Sequence, residues 1–299
     1  MERFGGETMG TRWSAQIVAP PPGVGAAIRG VLATVVAQMS HWEPASQLSR
    51  INAAAPGAWH GIAPEFVAVM GVALEVAARS GGAFDPAMGA LVDLWGFGPP
   101  GPRPDAPQPA AIDAARAAIG LGAIELDAAL LRLRRIRPAQ LDLSGVAKGY
   151  AVDAVAAKLR ALGCADFLVE IGGELVGAGI RPDGQPWWVD VEAPPGMALP
   201  PLRIALHGIA VATSGDYRRN SAAGNHSIDP RTGHPIAHGT ASVTVIHADC
   251  CHADAWASAL TVLESEAAMA LAKREGLAVQ LVVRGRGEWL SGALRAMLE

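Results

Sequence analysis

Short strand-type segments follow one another between residues 167 and 247, and this run constrains the fold more than any other feature of the sequence. Each segment is apolar and is bounded by residues that favour turns. The predicted strands are 167–171, 175–178, 188–191, 202–206, 209–212 and 242–247. The short spacings are typical of hairpins, so we expect neighbouring strands to pair directly.

Helical patterns come in blocks around this run. Residues 24–39, for example, carry apolar side chains at the spacing of one helix face. The predicted helices are 24–39, 64–79, 110–119, 146–162, 253–263 and 266–275, and further strands are predicted at 11–18, 124–126, 130–133 and 278–283, the last closing the chain. Blocks of helices and strands without regular alternation predict an α+β fold.

Composition limits the classes of partner. The chain has 299 residues, 51% of them apolar, which is enough for a large core. Only 17% are charged, the net charge is −4 and no basic stripe stands out, so we expect no nucleic-acid partner. No apolar run reaches the length of a membrane-spanning helix. The three cysteines lack zinc-site spacing, and their odd number argues against a disulfide framework.

The first residues predict a location. They carry two acids and paired glycines, with no apolar stretch of the signal-peptide type. We therefore expect a cytoplasmic protein as the chain stands. If a leader has been removed, the periplasm is the alternative.

The segment from Asp142 to Asp153 is the first candidate site. An apolar, strand-type segment ends at Asp142, a Ser-Gly turn follows, and an alanine-rich helix begins. A helix N-terminus with free N–H groups and Lys148 can bind an anion. Lys148 could instead form a local ion pair. The spacing matches neither a P-loop nor a dinucleotide fingerprint.

Residues 81–98 form a second candidate, with paired glycines before Asp85-Pro86. Glycine allows a close approach of backbone to a ligand, and proline holds Asp85 extended. The alternative is a helix C-cap followed by a turn and another helix.

Polar residues crowd a third region after a predicted strand. Residues 213–219 contribute hydroxyls, an acid, Arg218 and Arg219, and His226 follows in a proline-fixed turn. Histidine titrates near working pH and can act as a general base. It could equally be a turn histidine that bonds to backbone.

A fourth candidate lies at a predicted helix start. Asp254 and Ser258 are four residues apart, so both side chains project from one helix face. A carboxylate, a hydroxyl and a backbone carbonyl form an oxygen set that suits Mg²⁺ and not zinc. The alternative is that Asp254 stabilises the start of its own helix while Ser258 faces solvent.

Taken together and in order, these segments resemble the ApbE family, the FAD:protein FMN transferases. The similarity runs nearly from end to end, and many collinear motifs make it specific. The motifs are Met9-Gly-Thr11, residues 42–52, Gly82-Ala-Phe-Asp85, Trp95-Gly-Phe-Gly98, residues 142–153, residues 167–174, Ala212-Thr-Ser-Gly215, residues 226–233 and residues 254–260.

The resemblance implies a T-fold-like α+β domain, with mixed sheets and packed helices around a central FAD cleft. We expect residues 1–299 to form this one domain, with two lobes on either side of the cleft as an alternative description. The implied reaction is Mg²⁺-dependent transfer of FMN from FAD to a threonine or serine hydroxyl of an acceptor protein, with release of AMP. The same site acting on water would be an FAD pyrophosphatase, and a non-catalytic FAD-binding protein is a further alternative.

The resemblance also implies roles for individual residues. His226 matches the general base, and the metal ligands are the Ala147 carbonyl, Asp254 and Ser258. FAD contacts carry over to Met9, Trp42, Ala83, Phe84, Asp85, Ser144, Tyr150 and Ile228, and Lys148 is added as a phosphate partner. Trp42 stands where the family usually has tyrosine, and either ring suits an isoalloxazine. Ser258 replaces the usual threonine and keeps the hydroxyl.

Overall fold

An eight-stranded antiparallel sheet forms the centre of the computed structural model, which describes residues 1–217, 220–221 and 224–298. Its strands, in spatial order, are β1 (Glu2–Thr8), β2 (Thr11–Ile17), β6 (Phe167–Ile171), β7 (Glu174–Ala178), β10 (Ile209–Gly215), β15 (Thr240–His247), β16 (Ala278–Val283) and β17 (Gly287–Leu290). Small sheets are formed by β3 (His60–Gly61), β4 (Ile124–Asp127) and β5 (Arg132–Arg135), by β8 (Trp187–Asp190) and β9 (Arg203–Leu206), by β11 (Asn220–Ser221) and β12 (Gly224–Asn225), and by β13 (Ile228–Asp229) and β14 (His234–Pro235). The α+β prediction is confirmed.

The helices are α1 (Val24–Met39), α2 (Gln47–Ala53), α3 (Pro64–Arg79), α4 (Gly89–Leu94), α5 (Pro109–Ala118), α6 (Ala147–Ala161), α7 (Cys250–Val262), α8 (Ser265–Glu275) and α9 (Gly292–Leu298). Helices α1 to α8 contribute to the large hydrophobic cluster on one face of the large sheet, whereas α9 contributes Leu294 to a smaller cluster on the opposite face. Helices α6 and α7 lie against the central strands, α1 packs on α6, and α3 packs on α7. The site residues on α6 and α7 are therefore held between the sheet and an outer helix layer.

Successive side chains of β10 point alternately into two hydrophobic clusters, one on each face of the sheet. Ala210 and Ala212 belong to the large hydrophobic cluster under the helices, whereas Val211 belongs to a smaller cluster on the opposite face. Successive strand residues point to opposite faces, so a strand buried on both sides reads as a continuous apolar run. The second cluster includes Trp187 and Leu206 from the β8–β9 hairpin.

The first hairpin turns at Met9 and Gly10. Both residues have positive φ, 49° and 70°, and Thr8 pairs with Thr11 across the turn. This is the geometry of a two-residue turn whose twist matches that of the strands, and glycine adopts it without a Cβ penalty. Met9 is thereby fixed at the hairpin tip, where its side chain packs against the main core.

Several boundaries differ from the prediction. The apolar segment before Asp142 is not a strand, because the side chain of Asn52 bonds both the N–H and the C=O of Leu141. Helix α7 begins at Cys250, three residues earlier than predicted, since Asp249 caps it. The chain does not close with β16, because β17 and α9 follow.

Strand β1 and helix α2 were not predicted from the sequence. Paired glycines and mostly exposed side chains hide the strand signal in β1. Helix α2 has only seven residues, although Ser46 caps it through the N–H of Ser49. Within the described residues, no helix combines the length and the apolar character that crossing a bilayer requires.

Candidate functional site

Helices α6 and α7 cap each other through two aspartates. Asp254, on α7, accepts a hydrogen bond at Oδ2 from the N–H of Gly149 in the first turn of α6, at 3.0 Å. Asp153, on α6, accepts from the N–H groups of Cys250 and Cys251 in the first turn of α7, at 2.9 and 2.8 Å. Each carboxylate satisfies N–H groups that have no partner inside the helix. The idea that Asp254 stabilises its own helix start is wrong, because it caps α6.

The environment of Asp254 is charged and nearly closed to solvent. The side chain is 3% exposed, and its Oδ1 lies 3.9 Å from Nζ of Lys148. Burial raises the pKa of Asp254, and the ammonium of Lys148 and the N–H of Gly149 oppose this only in part. The carboxylate is therefore costly to keep charged without a cation nearby.

Lys148 forms an ion pair with Glu174 at the start of β7, whose side chain is also buried. Burial lowers the pKa of Lys148, but the carboxylates of Asp254 and Glu174 outweigh it, so the pKa is raised overall. The alternative of a local ion pair is thus observed.

Hydroxyl and carbonyl oxygens extend this charged centre. Oγ of Ser258 lies 3.5 Å from Oγ of Ser214 and donates to the carbonyl of Gly145 at 3.4 Å. The interpretation that Ser258 faces solvent is therefore wrong. A Cβ at position 145 would lie 2.8 Å from Oγ of Ser258 and 3.1 Å from the ring of Phe84, so only glycine fits between them. Ala147 follows as the first residue of α6.

In the part of the chain that the structure describes, the candidate metal ligands on and near this turn of α7 are the Asp254 carboxylate, the hydroxyls of Ser258 and Ser214 and the carbonyl of Gly145. A carboxylate, hydroxyls and backbone carbonyls suit Mg²⁺, which is bound through few carboxylates and keeps several waters. The residues present therefore fit the magnesium that the sequence predicts.

The segment after α3 is the helix C-cap, turn and further helix that the sequence offered as an alternative. Helix α3 ends at Arg79, a turn follows, and α4 begins at Gly89. Asp85 is buried and accepts from the N–H groups of Ala87 and Gly120, both at 2.8 Å. Burial raises the pKa of Asp85, although these two bonds lower it in part. Both carboxylate oxygens of Asp85 therefore hold the protein backbone.

A cavity of about 230 Å³ lies next to this segment, lined by His41, Asp93 and Asp142 among others. Nδ1 of His41 is 3.6 Å from Oδ1 of Asp142, and burial raises the pKa of Asp93. Oδ1 of Asp142 also accepts from the N–H of Ser144 at 2.7 Å. The loop 141–146 thus joins the cavity to the oxygen cluster at Gly145 and Ser258.

Aromatic residues stand at both ends of this region. Trp42 follows His41, and its side chain is exposed by 53%. Tyr150 is half-buried on α6, where burial and the nearby carboxylate of Glu65 raise its pKa to about 12. Tyr150 is therefore a neutral phenol at physiological pH.

The segment that carries His226 is fastened to α4 and its following turn. The rings of His226 and Phe97 meet edge to face, with centroids 6.4 Å apart. Nε1 of Trp95 donates to the carbonyl of Gly233 at 2.8 Å. Ile228 is buried and pairs with Pro235 in the β13–β14 hairpin. Arg218 and Arg219, predicted to crowd this region, lie outside the described residues.

Three residues near the site were not assigned from the sequence. Glu174 pairs with Lys148, Ser214 approaches Ser258, and Asp93 lines the cavity. An acid that follows two glycines at the start of an otherwise apolar strand is the signal for Glu174. Sequence spacing gives no signal for the approach of Ser214 to Ser258, because their contact spans 44 residues.

Comparison with known proteins gives consistent matches. The model of the ApbE family matches residues 9–281. The FAD:protein FMN transferase of Klebsiella pneumoniae is 34% identical over 311 residues, covering 98% of this chain and 88% of that protein. The structure of the Pseudomonas stutzeri flavinyl transferase ApbE in its apo form superposes with a TM-score of 0.90 at 35% identity, covering 99% of this chain and 96% of that one. The flavin transferase ApbE from Vibrio cholerae also has a TM-score of 0.90, at 33% identity, with 99% and 98% covered.

Proposed function

The chain belongs to the ApbE family, and we propose that it is an FAD:protein FMN transferase. It moves the FMN part of FAD to a threonine or serine hydroxyl of an acceptor protein and releases AMP. In bond terms, the acceptor oxygen forms a bond to the FMN phosphorus and the phosphorus–oxygen bond to AMP breaks. The hydroxyl proton passes to a base, which we assign to His226.

One observation supports this chemistry most directly. A buried carboxylate at Asp254 stands beside Lys148 and one helical turn before Ser258, whose hydroxyl meets the hydroxyl of Ser214 and the carbonyl of Gly145. Splitting a diphosphate requires charge neutralisation on its phosphates, and Mg²⁺ supplies this when bound. We propose the carbonyl of Ala147, Asp254 and Ser258 as its ligands. Lys148, held by Glu174, adds positive charge at the same place.

We propose that FAD lies along the loop 141–146, between the exposed indole of Trp42 and the oxygen cluster. The contacts assigned to it are Met9, Trp42, Ala83, Phe84, Asp85, Ser144, Lys148, Tyr150 and Ile228. Phe84 and Gly145 are already adjacent, which supports a continuous binding surface there. We assign the contact of Asp85 with FAD to its backbone atoms, since its carboxylate accepts hydrogen bonds from the N–H groups of Ala87 and Gly120.

A product assay separates the transferase from the pyrophosphatase. The full chain is incubated with FAD and Mg²⁺, with and without a candidate acceptor protein, and free FMN, AMP and acceptor mass are measured. A transferase gives acceptor with covalent FMN and an equal amount of AMP. Free FMN in equal yield with AMP, whether or not acceptor is present, would establish the pyrophosphatase instead. Recovery of intact FAD in every arm would support a non-catalytic binding protein.

We expect Trp42→Ala to weaken FAD binding by about 1–3 kcal/mol, the value of an aromatic stacking platform. The measurement is the Kd for FAD by titration calorimetry. Trp188→Ala is the matched control, because that indole is 45% exposed on β8. An unchanged Kd in Trp42→Ala would remove Trp42 from the flavin site.

We expect Ser258→Thr to keep activity and Ser258→Val to raise the Mg²⁺ concentration needed for half-maximal AMP release. A polar contact to a charged group contributes about 1.5–3 kcal/mol, so the increase should be about ten- to hundredfold. Threonine and valine have the same shape, but only threonine carries a hydroxyl. The difference between the two variants therefore measures the contribution of the hydroxyl oxygen to Mg²⁺ binding. Equal Mg²⁺ dependence in both variants would exclude Ser258 as a ligand.

Two broader assignments complete the proposal. We propose that residues 1–299 work as one domain, supported by the large hydrophobic cluster that joins the sheet to α1, α3, α6 and α7. The cytoplasmic location stays a prediction, with the periplasm as the alternative.

A further inference from the structure

Two histidines and an aspartate converge where β15 ends and α7 begins, outside the oxygen cluster described above. His247 is the last residue of β15, Asp249 caps α7, and His252 lies in its first turn. One ligand atom from each of the three lies within 4.8 Å of the others. We name these residues the His247–Asp249–His252 cluster.

Both imidazoles direct a nitrogen to the same carboxylate. Nδ1 of His252 lies 2.7 Å from Oδ1 of Asp249, and Nδ1 of His247 lies 3.2 Å from Oδ2. Nδ1 of His247 also accepts from the N–H of Asp249 at 3.2 Å. The two rings are stacked with centroids 5.0 Å apart. Imidazole nitrogens and carboxylate oxygens are thus gathered in one place.

Glu75, on α3, provides an independent observation. Its Oε2 lies 3.6 Å from Nε2 of His252, while its Oε1 accepts from Arg79. Histidines that bind a metal through one nitrogen commonly donate from the other to a carboxylate, which fixes the ring and its tautomer. Glu75 stands where such a partner is required if Nδ1 of His252 binds the metal.

We propose that the His247–Asp249–His252 cluster binds a first-row transition-metal ion of the zinc class. Two imidazoles and one carboxylate are a ligand set of zinc sites that keep a further position for water. The three side chains are between 23% and 41% exposed, which leaves a path for the ion and room for water. Imidazole ligands separate this site in chemistry from the all-oxygen set at Asp254.

Binding of zinc by the full chain tests the proposal. The protein is treated with chelator, returned to a buffer with excess Mg²⁺, and titrated with Zn²⁺ by calorimetry. We expect one equivalent of Zn²⁺ to bind despite the Mg²⁺. His247→Gln and Asp249→Asn should weaken this binding at least about tenfold, and Glu75→Gln should weaken it by about ten- to hundredfold. Asparagine also caps helices, so Asp249→Asn keeps α7 intact.

Two control variants fix the location. His207→Gln removes an exposed histidine that contacts the Gly179 carbonyl in a distant turn, and it should leave Zn²⁺ binding unchanged. Asp254→Asn should also retain it. Zn²⁺ should raise the thermal midpoint of the wild type but not that of Asp249→Asn. Absence of stoichiometric Zn²⁺ binding, or binding lost in Asp254→Asn but kept in His247→Gln, would overturn the proposal.

Discussion

We expect Asp254→Ala to reduce AMP release from FAD to the level seen without Mg²⁺, with the fold retained. The carboxylate is the one buried acid among the proposed magnesium ligands, and its loss removes the charge that attracts the ion. Alanine also removes the cap on Gly149, which costs about 1 kcal/mol of stability. AMP release is followed by chromatography at several Mg²⁺ concentrations, together with thermal unfolding.

Asp254→Asn separates the charge from the cap. The amide oxygen still accepts from Gly149, so the free energy of unfolding should stay close to the wild-type value while activity is lost. Asp113→Asn, an exposed change on α5, serves as the control for loss of one acid. Wild-type activity in Asp254→Asn would remove Asp254 from the metal site.

We expect His226→Asn to lower the rate of FMN transfer by about 10²–10⁴-fold, the usual loss when a general base is removed. Binding of FAD and Mg²⁺ should persist, because the assigned role is to take the proton of the acceptor hydroxyl. Transfer is measured by single-turnover mass spectrometry of the acceptor, and FAD binding by calorimetry.

His234→Asn is the matched control, since His234 lies in the neighbouring β13–β14 hairpin and its ring meets Trp95. It should transfer FMN at nearly the wild-type rate. A wild-type rate in His226→Asn would assign proton removal to another group. Loss of FAD binding in that variant would instead make His226 a binding residue, packed through Phe97.

Much of the fold follows from local patterns. Helices α1 and α3 have the predicted bounds, because apolar residues recur on one face and Pro64 and the glycines mark helix ends. Strands β6 and β16 also match. These elements are specified by side chains within a few residues of one another, which is the range that periodicity detects.

The features that the sequence predicted wrongly or left open depend on distant partners. The segment before Asp142 resembles a strand, yet its polar groups bond to the side chain of Asn52, 89 residues away. Asp254 carries the pattern of a cap for its own helix and instead caps α6. Lys148 forms an ion pair with Glu174, and the two residues are 26 positions apart in the sequence. Motif resemblance predicts the site residues, but only the structure shows which atoms of the described residues they contact.

The mutual capping of α6 and α7 has a consequence for the order of synthesis. Gly149 and Asp254 are 105 residues apart, and Asp153 and Cys250 are 97 apart. The N-cap residue of α6 provides no side-chain cap. Because synthesis runs from the N-terminus, α6 leaves the ribosome well before Asp254, which caps it. A nascent chain that ends before α7 therefore carries an uncapped α6.

The same contact also makes the position of the proposed metal ligand, Asp254, depend on the docking of α6 and α7. Asp254 reaches its position only when the two helices have docked, so truncated chains lose both the helix contact and the carboxylate. A long-range contact of this kind is slow to form, because closing a loop of this length costs entropy before any contact repays it. The proposed metal site at Asp254 therefore forms only after the chain has been made at least as far as α7 and the two helices have docked.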